Sequence, residues 1–203
     1  NDTMTGRVAV WPMADTNAAR AKYFQDAPML REGTVLSPDG AWVATHGFYD
    51  PGLVVFDVRT GNLVRRLPLP PRHTMAWSPD GRWLAGMGST FTLWDTTSWQ
   101  PVTLPPLQPS VFPSAAVDFS WPGSNGRSQY LATVTATTRI TLLDLETRAI
   151  VATLEAPGSR SIYKLQFSRD GRWLAAALAG GEIQLWDLRV LQSRLESHTF
   201  GLT

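Results

Sequence analysis

From about residue 33 onward, apolar positions come in short runs separated by turns rich in Gly, Pro, Ser and Asp, with no sustained i, i+3, i+4 stripe. That pattern predicts strands rather than helices. One set of runs ends in an acid: Leu53-Val54-Val55-Phe56-Asp57, Phe91-Thr92-Leu93-Trp94-Asp95, Ile140-Thr141-Leu142-Leu143-Asp144 and Ile183-Gln184-Leu185-Trp186-Asp187. A second set precedes these and places Trp42, Trp83 and Trp173 at its second position, with residues 129–134 as the remaining copy. Further strands follow polar turns, as in Leu63-Val64-Arg65-Arg66-Leu67 and Ile150-Val151-Ala152-Thr153-Leu154.

The turns ahead of the Trp runs share a sequence. They read Leu36-Ser37-Pro38-Asp39-Gly40, Trp77-Ser78-Pro79-Asp80-Gly81, Phe119-Ser120-Trp121-Pro122-Gly123 and Phe167-Ser168-Arg169-Asp170-Gly171. Ser supplies a side-chain acceptor, Pro presets φ, Asp bonds locally to the backbone, and Gly tolerates positive φ. The unit recurs every ~40–50 residues with about four strands, the period of a propeller blade.

On these residues the chain resembles the WD-repeat β-propeller family. Trp94-Asp95 and Trp186-Asp187 carry the signature pair; Phe56-Asp57 and Leu143-Asp144 are its conservative variants. The resemblance implies an all-β fold: a β-propeller of four-stranded antiparallel blades at about 33–70, 73–105, 114–155 and 161–188. The Gly-His pair that usually opens a repeat is missing, as is the Asp before the third strand, where this chain reads Gly88-Ser89-Thr90 and Ala179-Gly180-Gly181. The family's Asp–His–Ser–Trp hydrogen-bond network therefore does not transfer. Residues 1–25, with Trp11 at the Trp position, read as the outer half of a further blade. Leu188, Leu191 and Leu195 read as a short helix over about 188–198. The expected last strand is not visible, and four and a half blades do not obviously close a ring. The C-terminal end resembles those of large bacterial WD-repeat proteins, many of which carry a protein kinase domain; no kinase motif occurs here. The chain is expected to be one propeller within a larger protein or assembly.

Composition narrows the chemistry. A hydrophobic share of 43% supports a sizeable core. Zero Cys removes disulfides, thiolate zinc sites and thiol nucleophiles, and chooses no compartment. A net charge of +1 argues against nucleic acid as the main partner. No apolar run reaches the ~18 residues of a membrane span. The three His are His46, His73 and His198, and no Gly-x-Ser-x-Gly elbow accompanies them. His46 and Asp50 share what reads as a loop, too few ligands for a metal site. The repeating acids read as turn formers and strand ends, and Arg65, Arg66 and Arg72 as an ordinary solvated face rather than a basic spot. No catalytic, cofactor or metal residues are assigned.

Departures from the repeat are more informative: the aromatic loop at Phe48 and Tyr49, the Pro-rich connection 105–113, and the insert Ser124-Asn125-Gly126-Arg127-Ser128. By the family's geometry Phe48, Tyr49, Arg72, His73, Phe112 and Arg160 fall on one loop face, and aromatics with Arg suit a protein interface. The resulting expectation is a non-catalytic protein–protein interaction scaffold. The competing readings are a propeller hydrolase or cofactor-dependent oxidoreductase, which would need clustered His, Asp or Arg in the channel, and an extracytoplasmic ligand-binding module.

Overall fold

The computed structural model describes residues 9–10, 22–23, 30–47, 52–70, 74–107 and 116–190. Four antiparallel sheets follow one another along the chain. The first contains β3 (Leu30–Leu36), β4 (Trp42–Gly47), β5 (Leu53–Asp57) and β6 (Leu63–Leu67). The second contains β7 (Thr74–Trp77), β8 (Trp83–Met87), β9 (Phe91–Asp95) and the two-residue β10 (Gln100–Pro101). The third contains β11 (Val117–Phe119), β12 (Tyr130–Ala136), β13 (Arg139–Asp144) and β14 (Ile150–Glu155). The fourth has three strands among the described residues: β15 (Ile162–Phe167), β16 (Trp173–Leu178) and β17 (Glu182–Asp187). Upstream, β1 (Ala9–Val10) pairs with β2 (Lys22–Tyr23) through Ala9 opposite Tyr23. The chain turns helical at 188–190; the rest of the expected 188–198 helix lies outside the described residues.

Strand order within each sheet follows the chain, so each is a meander. First strands lie beside first strands: β3 against β7, β7 against β11, and β11 against β15. Side-by-side sheets that meet along their first strands are propeller blades.

The core lies between blades rather than within one. Leu53, Val55 and Leu67 of blade 1 meet Met75, Leu84 and Trp94 of blade 2. Trp83, Ala85 and Leu93 of blade 2 meet Phe119, Leu131 and Leu143 of blade 3. Ile140, Leu142 and Leu154 of blade 3 meet Leu165, Phe167 and Leu174 of blade 4. Trp99 caps the seam between blades 1 and 2, stacked on Trp42 at 4.6 Å and edge-on to Trp77 at 6.1 Å.

The turn chemistry recurs closely. In blade 2 the Ser78 hydroxyl donates to Asp80 Oδ1 at 2.5 Å and accepts the Trp83 N–H at 2.8 Å, while Arg82 N–H reaches the same carboxylate oxygen at 3.1 Å. Ser37 with Asp39 and Ser168 with Asp170 repeat the arrangement. Gly40, Gly81 and Gly171 close these turns at φ of 71°, 74° and 69°, a conformation in which a Cβ is strained. Blade 3 departs from the expected Phe119-Ser120-Trp121-Pro122-Gly123 turn. Its tight turn is three residues later, where Gly126 N–H bonds Gly123 O and Asn125 Oδ1 accepts the Arg127 N–H at 3.0 Å. Ser120 still caps the strand through the Gln129 and Tyr130 N–H groups. The insert thus carries an Asn-Gly version of the Asp-Gly turn, displaced outward.

Candidate interaction site

In each blade the first turn and the turn that leaves the third strand lie at one end. Backbone bonds join the two turns there, as from Thr96 N–H to Arg82 O and from Leu145 N–H to Gln129 O. The strand-end acids cap the second of these turns. Asp57 accepts from Thr60, Asp95 from Thr97, Asp144 from Glu146 and Thr147, and Asp187 from Arg189. At Asp57 such bonds favour the ionised form: the Thr60 amide and hydroxyl hold its carboxyl below the usual carboxylate range.

Opposite lies the loop face expected to bind partners. Phe48, Tyr49, Arg72, His73 and Phe112 are outside the described residues. Arg160 is described, and it is engaged. Its Nη1 lies 2.8 Å from Glu182 Oε1 and donates to Ala179 O at 3.4 Å. It therefore ties the blade 3–4 connection to the β16–β17 loop, against Gly180, where any Cβ would come within 2.7 Å of Arg160 Nη1. His46 corrects another expectation. It belongs to strand β4, not a loop, and is buried, its Nε2 lying 2.6 Å from where a Gly33 Cβ would be. Asp50 is outside the described residues. Arg65 and Arg66 are consecutive on β6 and so point to opposite faces of the sheet, which prevents them from forming one spot. Among the described residues no three His, Cys, Asp or Glu side chains cluster as a metal site. No helix among them is long and apolar enough to cross a membrane.

Two further features stand out. One is a cavity of about 350 Å³ at the turn end between blades 2 and 3, lined by Arg82, Arg127 and Arg148 among others. The other is the face of blade 4 turned away from blade 3. Ile183 is 72% exposed there and Leu185 54%. A shallow groove of about 510 Å³ adjoins them, lined by Trp121, Gln166, Trp173, Ala175 and Leu185.

The family model for the WD domain, G-beta repeat matches residues 73–95 and 148–187, which fall on blade 2 and on the outer strand of blade 3 through blade 4. Those two segments carry the WD repeat, on a fold of propeller-like blades. A solved structure of similar fold, Kuenenia stuttgartiensis hydrazine synthase, matches with a TM-score of 0.64 at 17% identity over 78% of this chain. The match takes in 46% of that solved chain, so this propeller spans less than half of its length. No curated protein matches by sequence. With 1049 solved chains matching, similarity of fold cannot by itself select a function.

Within the propeller, blade 4 breaks a rule that the other blades keep. Val55, Leu93 and Leu142 occupy the position of Leu185 in blades 1 to 3, and all are buried against the following blade. The cross-strand partners of Leu185 and Ile183 are Ala175 and Ala177, so the exposed wall runs across β16 and β17. A periodicity argument could have found this wall only by knowing that no described blade follows it.

Proposed function

We propose that this propeller is a non-catalytic protein–protein interaction scaffold that works inside a larger assembly, with the open wall of blade 4 as its docking surface. The observation that carries the reading is the exposure of Ile183 and Leu185 at positions that are packed in the preceding blades. Contiguous apolar patches are rare on free monomers, and uncovered sheet edges recruit further strands. The occupant we infer is a blade from outside residues 1–203. The wall continues the blade 3–4 interface, where Ile140 and Leu142 receive Leu165, Phe167 and Leu174. A second copy of blade 1 suits it poorly, because Val43 and Phe56 on its corresponding face are already buried. The non-catalytic part of the reading is supported by the recurring Ser and Asp side chains, which spend their bonds on turns.

Site-specific photocrosslinking from position 183 in the native assembly tests this. Adducts are expected on an antiparallel sheet of the covering chain, at residues with an inward apolar pattern. Crosslinks to blade 4 of a second copy, or a monodisperse monomer by light scattering with no adducts, would overturn it. Ester and nucleotide hydrolysis by the purified protein should remain at background.

A further inference from the structure

We propose that the cavity between blades 2 and 3 binds a compact oxyanion, a carboxylate or a phosphate group, through Arg127 and Arg148. This site is at the turn end of the propeller, apart from the blade 4 wall, and does not depend on it. Three turns build it. The Ser78–Gly81 hydrogen-bonded turn brings Asp80 and Arg82, the blade 3 insert brings Asn125, Arg127 and Ser128, and the β13–β14 turn brings Leu145, Glu146 and Arg148. A volume of about 350 Å³ suits a small polar ligand or the end of a side chain.

The charges in the cavity are unequally satisfied. Arg82 is committed, its guanidinium 4.6 Å over the Trp83 ring and its Nε 4.0 Å from Asp95. Asp80 is also committed. Oδ1 accepts from Ser78 and Arg82, and Oδ2 accepts the Ser128 N–H at 2.9 Å across the blade boundary. Among the described residues neither Arg127 nor Arg148 has a carboxylate at ion-pair distance. The Ser128 hydroxyl on the same wall is buried without a hydrogen-bond partner, and an unpaired buried polar group is costly. The equivalent groove between blades 3 and 4 makes the contrast. Arg169, Arg172 and Arg189 line it, but Asp187 pairs with Arg172 at 3.2 Å and Arg189 at 3.1 Å, and Arg169 lies 5.1 Å over the Trp121 ring. The insert that breaks the repeat thus adds Arg127 to the groove that the β13–β14 turn supplies with Arg148. Planar guanidinium forks are the side chains best matched to carboxylate and phosphate. Glu146, exposed on the rim, opposes the anion and limits its affinity.

Amide chemical shifts of the ¹⁵N-labelled chain would be followed while sodium phosphate, and separately glutarate, replaces chloride at constant ionic strength. Saturable shifts are expected at residues 127, 128 and 148 and at the Trp83 indole, and the tighter arm identifies the oxyanion. Arg127→Gln with Arg148→Asn should weaken binding ~tenfold or more, since each charge-assisted bond lost is large on this scale. Asn is chosen because residue 148 has φ 59°, which Asn tolerates. Glu146→Gln should tighten binding. Shifts that follow chloride equally, or that survive in the double variant, would overturn the proposal.

Discussion

Asp118 on β11 faces two opposing demands. Burial pushes its carboxyl above the usual range, although Oδ2 accepts the Phe167 N–H at 2.7 Å across the blade 3–4 boundary. With its folded pKa raised, the folded state holds the proton more tightly than the unfolded one, so this group subtracts stability as pH rises through the carboxylate range. Asp118→Asn keeps an acceptor for Phe167 and removes the buried charge. Its melting temperature should gain on that of the wild type as pH rises, with the difference vanishing in acid. Asp118→Ala instead strands the Phe167 N–H and should cost about 1–3 kcal/mol in denaturant unfolding. Asp39, Asp57, Asp95, Asp170 and Asp187 have the opposite sign. Their carboxyls are held below the usual range, for Asp170 chiefly by the Ser168 hydroxyl, and their contributions fade as pH falls.

Strands and turns respond according to what packs against them. Ser78 is fully buried and joins both sides of its turn. Ser78→Ala leaves the Trp83 N–H unpaired and should cost about 1–3 kcal/mol by urea denaturation. Gly86 in β8 has the Leu69 side chain 2.6 Å and Trp94 2.9 Å from where a Cβ would stand. Gly86→Ala therefore overpacks the seam between blades 1 and 2, with an expected loss of about 1–3 kcal/mol. These turns were legible in sequence because a β-turn is decided by neighbours: Ser, Asp and Gly act within a few residues. The blade 3 turn was misplaced for a related reason. Ser120 and Gly123 imitate the motif, yet Asn125-Gly126 offers better turn chemistry, and strand pairing through Leu131 opposite Phe119 settles which is used.

Across the whole molecule, position in the ring outweighs residue type. Leu142 and Leu185 hold the same place in successive blades, one buried and one open. In the isolated chain Leu142→Ala should cost about 2–5 kcal/mol, whereas Leu185→Ala should stay within about 0.5 kcal/mol. Within the assembly the order of effects should change, with Leu185→Asp releasing the covering chain in sedimentation while leaving the propeller folded.

The sequence by itself determined the repeat, the meandering strands, the local turns and the apolar seams, since each depends on alternation or on bonds between near neighbours. It also revealed the insert at 124–128 as a departure from the repeat. Tertiary structure alone decided that Arg160 is pinned to Glu182, that His46 is inside a strand, and that the insert brings Arg127 beside Arg148. The same holds for blade 4, whose pattern of apolar residues matches the others while one wall stays open. The physical reason is shared: a strand pattern records which residues could be covered, and only the placement of neighbouring blades records which are.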